Sequence, residues 1–175
     1  ARGEGPWLPV RFPARPAWTM DAATGIARAD GATPSAEPET CGRCHSRRSV
    51  LVEGPPTGES LAQTHRLARL EPGLYFDDGQ IRDEVYVVGS FLQSPMYAAG
   101  VGCSDCHDPH SGALRAPGAQ VCSSCHDPAR FDAPAHHHHP EGQADCLDCH
   151  MPERVYMGID GRRDHGFRVP RPDLA

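Results

Sequence analysis

The chemistry of this chain is concentrated in its eight cysteines, which fall into four copies of one pentapeptide. These are Cys41-Gly-Arg-Cys44-His45, Cys103-Ser-Asp-Cys106-His107, Cys122-Ser-Ser-Cys125-His126 and Cys146-Leu-Asp-Cys149-His150. No cysteine lies outside them. Two thiols three positions apart, followed at once by an imidazole, form the arrangement that attaches a c-type haem. The thiols add across the two vinyl groups of the porphyrin, and the histidine then donates a ring nitrogen to the iron. Four copies imply four haems, with His45, His107, His126 and His150 as proximal ligands.

Rival readings of the same cysteines fit less well. Paired Cys-x-x-Cys units can build four-thiolate zinc sites, but zinc does not need a histidine after every second cysteine. With 11 histidines in 175 residues, four such placements by chance have a probability on the order of 10⁻⁵. Disulfides within Cys-x-x-Cys would close very small loops and staple little. A thioredoxin-like redox pair calls for a βαβ pattern, and none is visible.

Each iron needs a second ligand or an open face, and seven histidines remain outside the motifs. His110 follows His107 in Cys-His-Asp-Pro-His and is too near to swing over its own ring, so it is expected to reach an adjacent haem. His65 stands on the helix expected over 58–70. His165 has Asp164 beside it and Phe167 to pack. The run His136 to His139 cannot all ligate, because neighbouring side chains point in different directions, and His139 or His136 is the candidate there. Met20, Met96, Met151 and Met157 are rival ligands that would raise a haem potential, but with histidine in surplus they read as packing residues.

The elements that must position these groups are sparse. Only 38% of residues are apolar and 6% aromatic, while glycine and proline supply 18 each. A chain of this size normally buries about 70% of its unfolded surface, which such material cannot do in regular segments. Porphyrins in place of side chains would fill the middle. The expected fold is mostly irregular, with a few short α-helices and little or no β-sheet. Residues 1–40 read as an extended arm, and 41–175 as a tetrahaem domain whose tail from about 160 is extended. Helical spacing is visible over 58–70 and 83–93, where β-branched residues also allow a short strand but Asp83 and Glu84 suit a helix start, with Pro95 ending the second and one more turn expected at 96–99. The motif intervals of 62, 19 and 24 residues are too uneven for a solenoid.

Charge and hydropathy exclude other classes. With 17 basic against 23 acidic side chains and a net charge of −6, the chain is no basic nucleic-acid binder. Four oxidised haems at about −1 each would take it to about −10. No apolar stretch approaches the roughly 18 residues of a membrane span. All 17 basic residues are arginine, whose planar fork clamps carboxylates in pairs as lysine cannot.

From Glu37 to Leu174 the chain resembles the multihaem cytochrome c family, in particular the haem-rich domain found beside tetratricopeptide repeats in large exported bacterial proteins. The resemblance is carried by Pro-Glu-Thr-Cys41-Gly-Arg-Cys44-His45-Ser-Arg-Arg, Thr64-His65-Arg66, Gly89-Ser-Phe-Leu-Gln-Ser, Cys103-Ser-Asp-Cys106-His107-Asp-Pro-His110, the histidine run, Cys149-His150-Met-Pro-Glu-Arg and Arg162-Arg-Asp-His165-Gly-Phe-Arg-Val-Pro-Arg-Pro. The Cys-x-x-Cys-His-x-Pro-His element is shared with nitrite reductases and hydroxylamine oxidoreductases, where its last histidine ligates a neighbouring haem. Relatives continue into repeats after the Arg-Pro-Asp-Leu end and often carry further motifs upstream, which this sequence does not. The nitrite reductases place a lysine beneath their catalytic haem, and lysine does not occur here.

The expected role is electron transfer through bis-histidine haems, with redox partner proteins or extracellular electron acceptors at either end. The haem density, the arm and the tail suggest a homopolymer, a filament subunit with haem contacts between copies. The alternatives are a discrete periplasmic cytochrome, a fragment of a larger multihaem protein, or an oxidoreductase with one five-coordinate haem. Haems of this kind are attached after export, so an extracellular, cell-surface or periplasmic location follows. Ala1 opens no signal peptide, so a leader is expected either to have been removed or to lie outside the given sequence.

Overall fold

A computed structural model describes residues 16–29, 31–53, 60–109 and 111–171. Regular structure comes in short pieces. In chain order they are β1 (Thr19–Asp21), β2 (Ile26–Arg28), α1 (Glu37–His45), β3 (Arg48–Val50), α2 (Leu61–Thr64), β4 (His65–Leu67), α3 (Val88–Phe91), α4 (Pro95–Ala98), α5 (Cys103–Cys106), α6 (Gln120–Ser123), α7 (Pro128–Phe131), α8 (Pro134–His137), α9 (Cys146–His150), β5 (Glu153–Tyr156) and β6 (Asp160–Arg163). The strands form three separate antiparallel hairpins, β1–β2, β3–β4 and β5–β6. The fold is therefore mostly irregular, with several short helices and little sheet.

Local chemistry sets the boundaries. Pro38, Pro95, Pro128 and Pro134 open helices, where the missing N–H has no intrahelical acceptor to lose. The Ser94 hydroxyl caps α4 by accepting from Tyr97 N at 3.1 Å, and the Asp145 carboxylate caps α9 by accepting from Leu147 N at 2.8 Å. Gly25 turns the β1–β2 hairpin at φ +71°, where a Cβ would meet Arg130 Cδ at 2.8 Å. Only glycine suits that position.

Several sequence expectations need correction. The helix expected over 58–70 is one turn, α2. At His65 the chain turns extended and pairs with β3, Val50 opposite His65, and the ladder satisfies backbone groups that a helix would otherwise hold. Residues 54–59 lie outside the described residues. The helix expected over 83–93 forms only at Val88–Phe91, because Tyr86 sits at φ +61° and the Val85 carbonyl accepts from Arg47 N at 3.1 Å. Within the stretch read as an arm, residues 19–28 fold into the first hairpin. Within the tail, Asp160–Arg163 is a strand. Pro95 ends the α3 segment as expected and starts the next turn.

The apolar core is small. Among the described residues, Ala27, Leu61, Tyr75, Ile81, Val85, Val88 and Phe91 are the buried apolar side chains. Tyr75, Ile81 and Val85 cluster, with Leu74 and Tyr156 against them. Polar struts do much of the remaining work. Asp164, 6% exposed, accepts from Ile81 N at 2.9 Å and from Gly166 N at 2.7 Å. Arg168 donates to the Asp78 carbonyl and to Gln93 Oε1. Together these bonds tie the 164–168 segment to the loop before α3. Asp164→Ala leaves two buried N–H groups without an acceptor and should cost about 3 kcal/mol, read as a lower denaturant midpoint of the haem-loaded protein. A loss below about 0.5 kcal/mol would show that the strut is dispensable.

Candidate functional site

The first, second and fourth motifs carry both thiols on one helix, α1, α5 and α9, so the two thiols of each lie one turn apart on the same side. In the third, α6 holds Cys122 and ends at Ser123, and Cys125 follows in a turn whose N donates to the Cys122 carbonyl at 3.0 Å. No disulfide joins any of the eight cysteines. Helices α1 and α5 are joined by Glu37, which is buried and whose carboxylate accepts from Ser104 N at 2.7 Å and Ser104 Oγ at 2.5 Å. That contact brings Cys41 against Cys103. The hydrogen bond between the two thiols and burial together push the Cys103 thiol far up, holding it protonated. Burial likewise raises the Cys122 thiol, and the Cys146 thiol raises it further. Motif one thus meets motif two, and motif three meets motif four.

The described segment ahead of α1 packs on these motifs. Trp18 Nε1 donates to Asp105 Oδ1 at 3.2 Å, and Asp105 in turn accepts from Gly102 N at 2.7 Å. The first hairpin holds motif three: Ala27 N donates to the Cys125 carbonyl at 2.7 Å and Asp127 N to the Gly25 carbonyl at 2.8 Å.

The histidines gather in two groups. His107 and His165 lie with ring centres 6.3 Å apart and planes 26° from parallel. His136 and His150 lie 5.9 Å apart at 18°. Face-to-face stacking would bring the rings much closer. Two imidazoles bound through Nε2 to opposite sides of one iron would stand about 6.3 Å apart, from metal–nitrogen bonds of about 2.0–2.1 Å and roughly 1.1 Å from nitrogen to ring centre. Both pairs have that spacing.

The ring nitrogens are set for it. His107 Nδ1 donates to the Gly112 carbonyl at 3.3 Å, His150 Nδ1 to the Arg168 carbonyl at 2.7 Å, and His165 Nδ1 to the Arg163 carbonyl at 2.9 Å. A carbonyl only accepts, so Nδ1 carries the proton and Nε2 keeps its lone pair for a metal. Burial, with the neighbouring imidazoles His107 and His45, holds His165 below the usual histidine range. Burial and His150 do the same for His126 and His136. Neutral imidazole is the ligating form.

Aromatic side chains brace both groups. Phe131 stands edge-on to His126 at 5.4 Å and to His136 at 5.3 Å. Phe167 stands edge-on to His165 at 5.8 Å and to Phe91 at 6.3 Å. It reaches both from a left-handed backbone, φ +46°, which is costly for a phenylalanine.

The other candidates are placed as follows. His45 closes α1 with its ring exposed. His65 is half-buried on β4, 2.8 Å from Thr64 Oγ1 through Nδ1, and burial followed by the Arg43 charge lowers its pKa. His110 lies outside the described residues. In the histidine run, His138 takes a left-handed turn at φ +60° that ends α8. His136 and His139 are both exposed, His136 against His150 and His139 beside His137. Those two rings are 6.2 Å apart as well. However, His137 Nδ1 accepts from His139 N at 3.2 Å, which puts the neutral ring's proton on Nε2, the reverse of the ligating tautomer. Glu37 and Phe131 carried no sequence signal, since both act through tertiary contacts.

The residues present fit covalently bound c-type haem better than zinc. Among the described residues, no three histidine, cysteine or carboxylate side chains converge as a metal-ion site requires. Paired imidazoles beside paired thiols suit a porphyrin iron. No helix among the described residues is long and apolar enough to cross a membrane. No curated protein matches the chain, and no solved structure does. Residues 96–131 match the family model described as a doubled CXXCH motif, which spans the second and third attachment motifs. The match supports reading the chain as a multihaem c-type cytochrome, with haem-binding electron transfer as its role.

Proposed function

We propose that this chain carries electrons through four covalently bound haems, each held between two histidines, and that it works as a subunit of a polymer of its own copies. The observation that carries the first part is the pair of imidazole couples, each made of one motif histidine and one histidine from elsewhere. In this reading His165 completes the iron held by His107, and His136 completes that held by His150. His65, His110 and His139 are the candidates for the irons of His45 and His126. An iron with two imidazole ligands exchanges one electron without offering a site to substrate.

The protein's own part is positional. Glu37 clamps the first motif to the second. Phe131 braces His126 and His136 across the third and fourth. Asp164 and Arg168 hold the strand end that delivers His165. The haems would then fall into two close couples, one with two and three with four, and electrons would enter or leave through a partner redox protein or an acceptor outside the cell. Attachment after export supports a periplasmic or extracellular location.

The ligand assignment is tested by carbon monoxide, which binds only five-coordinate ferrous haem. The reduced wild-type protein should show no shifted Soret absorption. His165→Ala and His136→Ala should each convert about one quarter of the haem to a carbon monoxide-binding form, while His138→Ala should not. Binding by the wild type would favour an oxidoreductase with an open haem, and unchanged variants would refute the two pairs.

The polymer is supported by the β5–β6 hairpin, whose tip presents Val155, Met157 and Ile159, 64%, 76% and 90% exposed. Apolar side chains this exposed and this close together suit an interface, and a heterologous contact that does not close yields a fibre. Electron microscopy of the native material should show filaments, and Ile159→Asp should abolish them at unchanged haem content. Monodisperse wild-type particles would remove the polymer.

A further inference from the structure

Arg43 occupies the third position of the first attachment motif, on the last turn of α1. Its Nε and Nη2 atoms are buried and have no hydrogen-bond partner. A buried guanidinium normally has its donors paired, because a charge removed from water without partners is costly. The two orphaned atoms lie on the same edge of the guanidinium plane. Their N–H bonds run parallel and form the fork that takes both oxygens of one carboxylate.

The protein has turned its own carboxylates elsewhere. Glu39 lies four residues before Arg43, the spacing and order that favour an ion pair along a helix. Glu39 instead reaches α2, where its carboxylate accepts from Ser60 Oγ at 3.2 Å and Leu61 N at 2.5 Å. Glu37, on the same helix, is committed to Ser104. The Arg43 fork therefore stays open beside an attachment motif, with its charge felt at the candidate ligand His65.

We propose that Arg43 binds a haem propionate, both oxygens of the carboxylate accepting from Nε and Nη2. The propionates project from the porphyrin edge away from the thioether bonds. The fork, set between Cys41 and Cys44, therefore faces the propionate of a neighbouring haem more readily than that of its own. The assignment rests on haem attachment, and it adds a site that fixes the relative position of two haems and raises the potential of one.

The test compares wild type, Arg43→Gln and Arg43→Lys, each loaded with haem and titrated by spectroelectrochemistry. Loss of the positive charge should make one haem harder to reduce by about tenfold, about 59 mV for one electron, with the other three unchanged. The same haem's potential should become more pH-dependent, as the freed propionate takes up a proton more easily. Lysine should recover part of the shift, because it restores the charge without the fork. Added acetate or phosphate should leave the wild-type potentials alone, since the carboxylate is already part of the molecule. Four unchanged potentials in Arg43→Gln, a uniform shift of all four, or a wild-type response to acetate would overturn the proposal. A wild type with fewer than four haems would instead undo the electron-transfer reading on which it stands.

Discussion

The controlling constraint is how little apolar surface this polypeptide can bury by itself. Seven buried apolar side chains among the described residues, spread over β2, α2, α3 and the loop before α3, cannot offset the conformational entropy of ordering a domain this long. Thioether bonds to rigid, largely apolar rings, four in the proposed form, change that balance. They supply interior surface, and they shorten the free chain between attachment points to loops of a few tens of residues. Iron–imidazole bonds add cross-links, His107 to His165 being the longest of those proposed.

Given that constraint, the distribution of polar groups makes sense. Glu37, Glu39 and Asp164 each accept from backbone N–H groups of another segment, doing with charged hydrogen bonds what a β-ladder does in an ordinary fold. Arginine does the complementary work. Arg168 ties the last described segment to Asp78 and Gln93, and Arg162 bridges Glu84 and Asp160. Each strut ends near a histidine or a thiol.

Much of the site was legible in the sequence because it is covalent chemistry written in contiguous residues. Each Cys-x-x-Cys-His motif carries its thiols and its proximal imidazole within five positions. His165 was visible through Asp164 and Phe167, and the structure uses both, one to anchor the segment and the other to brace the ring. The choice between His136 and His139 was not legible, since it depends on the left-handed turn at His138, which decides where each ring goes. Secondary structure was read less well. The stretch 58–70 has helical composition, yet from His65 onward it follows the edge of β3, and Tyr86 interrupts the pattern over 83–93 with a backbone angle that composition does not reveal. Glu37, Phe131 and the open fork of Arg43 gain their meaning only when distant segments meet.

The most direct test of the account is the haem content of the mature polypeptide. A pyridine haemochrome assay on protein unfolded in denaturant, read together with the intact mass, counts porphyrins that remain covalently attached. The account predicts four per chain, all retained after denaturation. A colourless chain, or one holding zinc on its thiols, would contradict it.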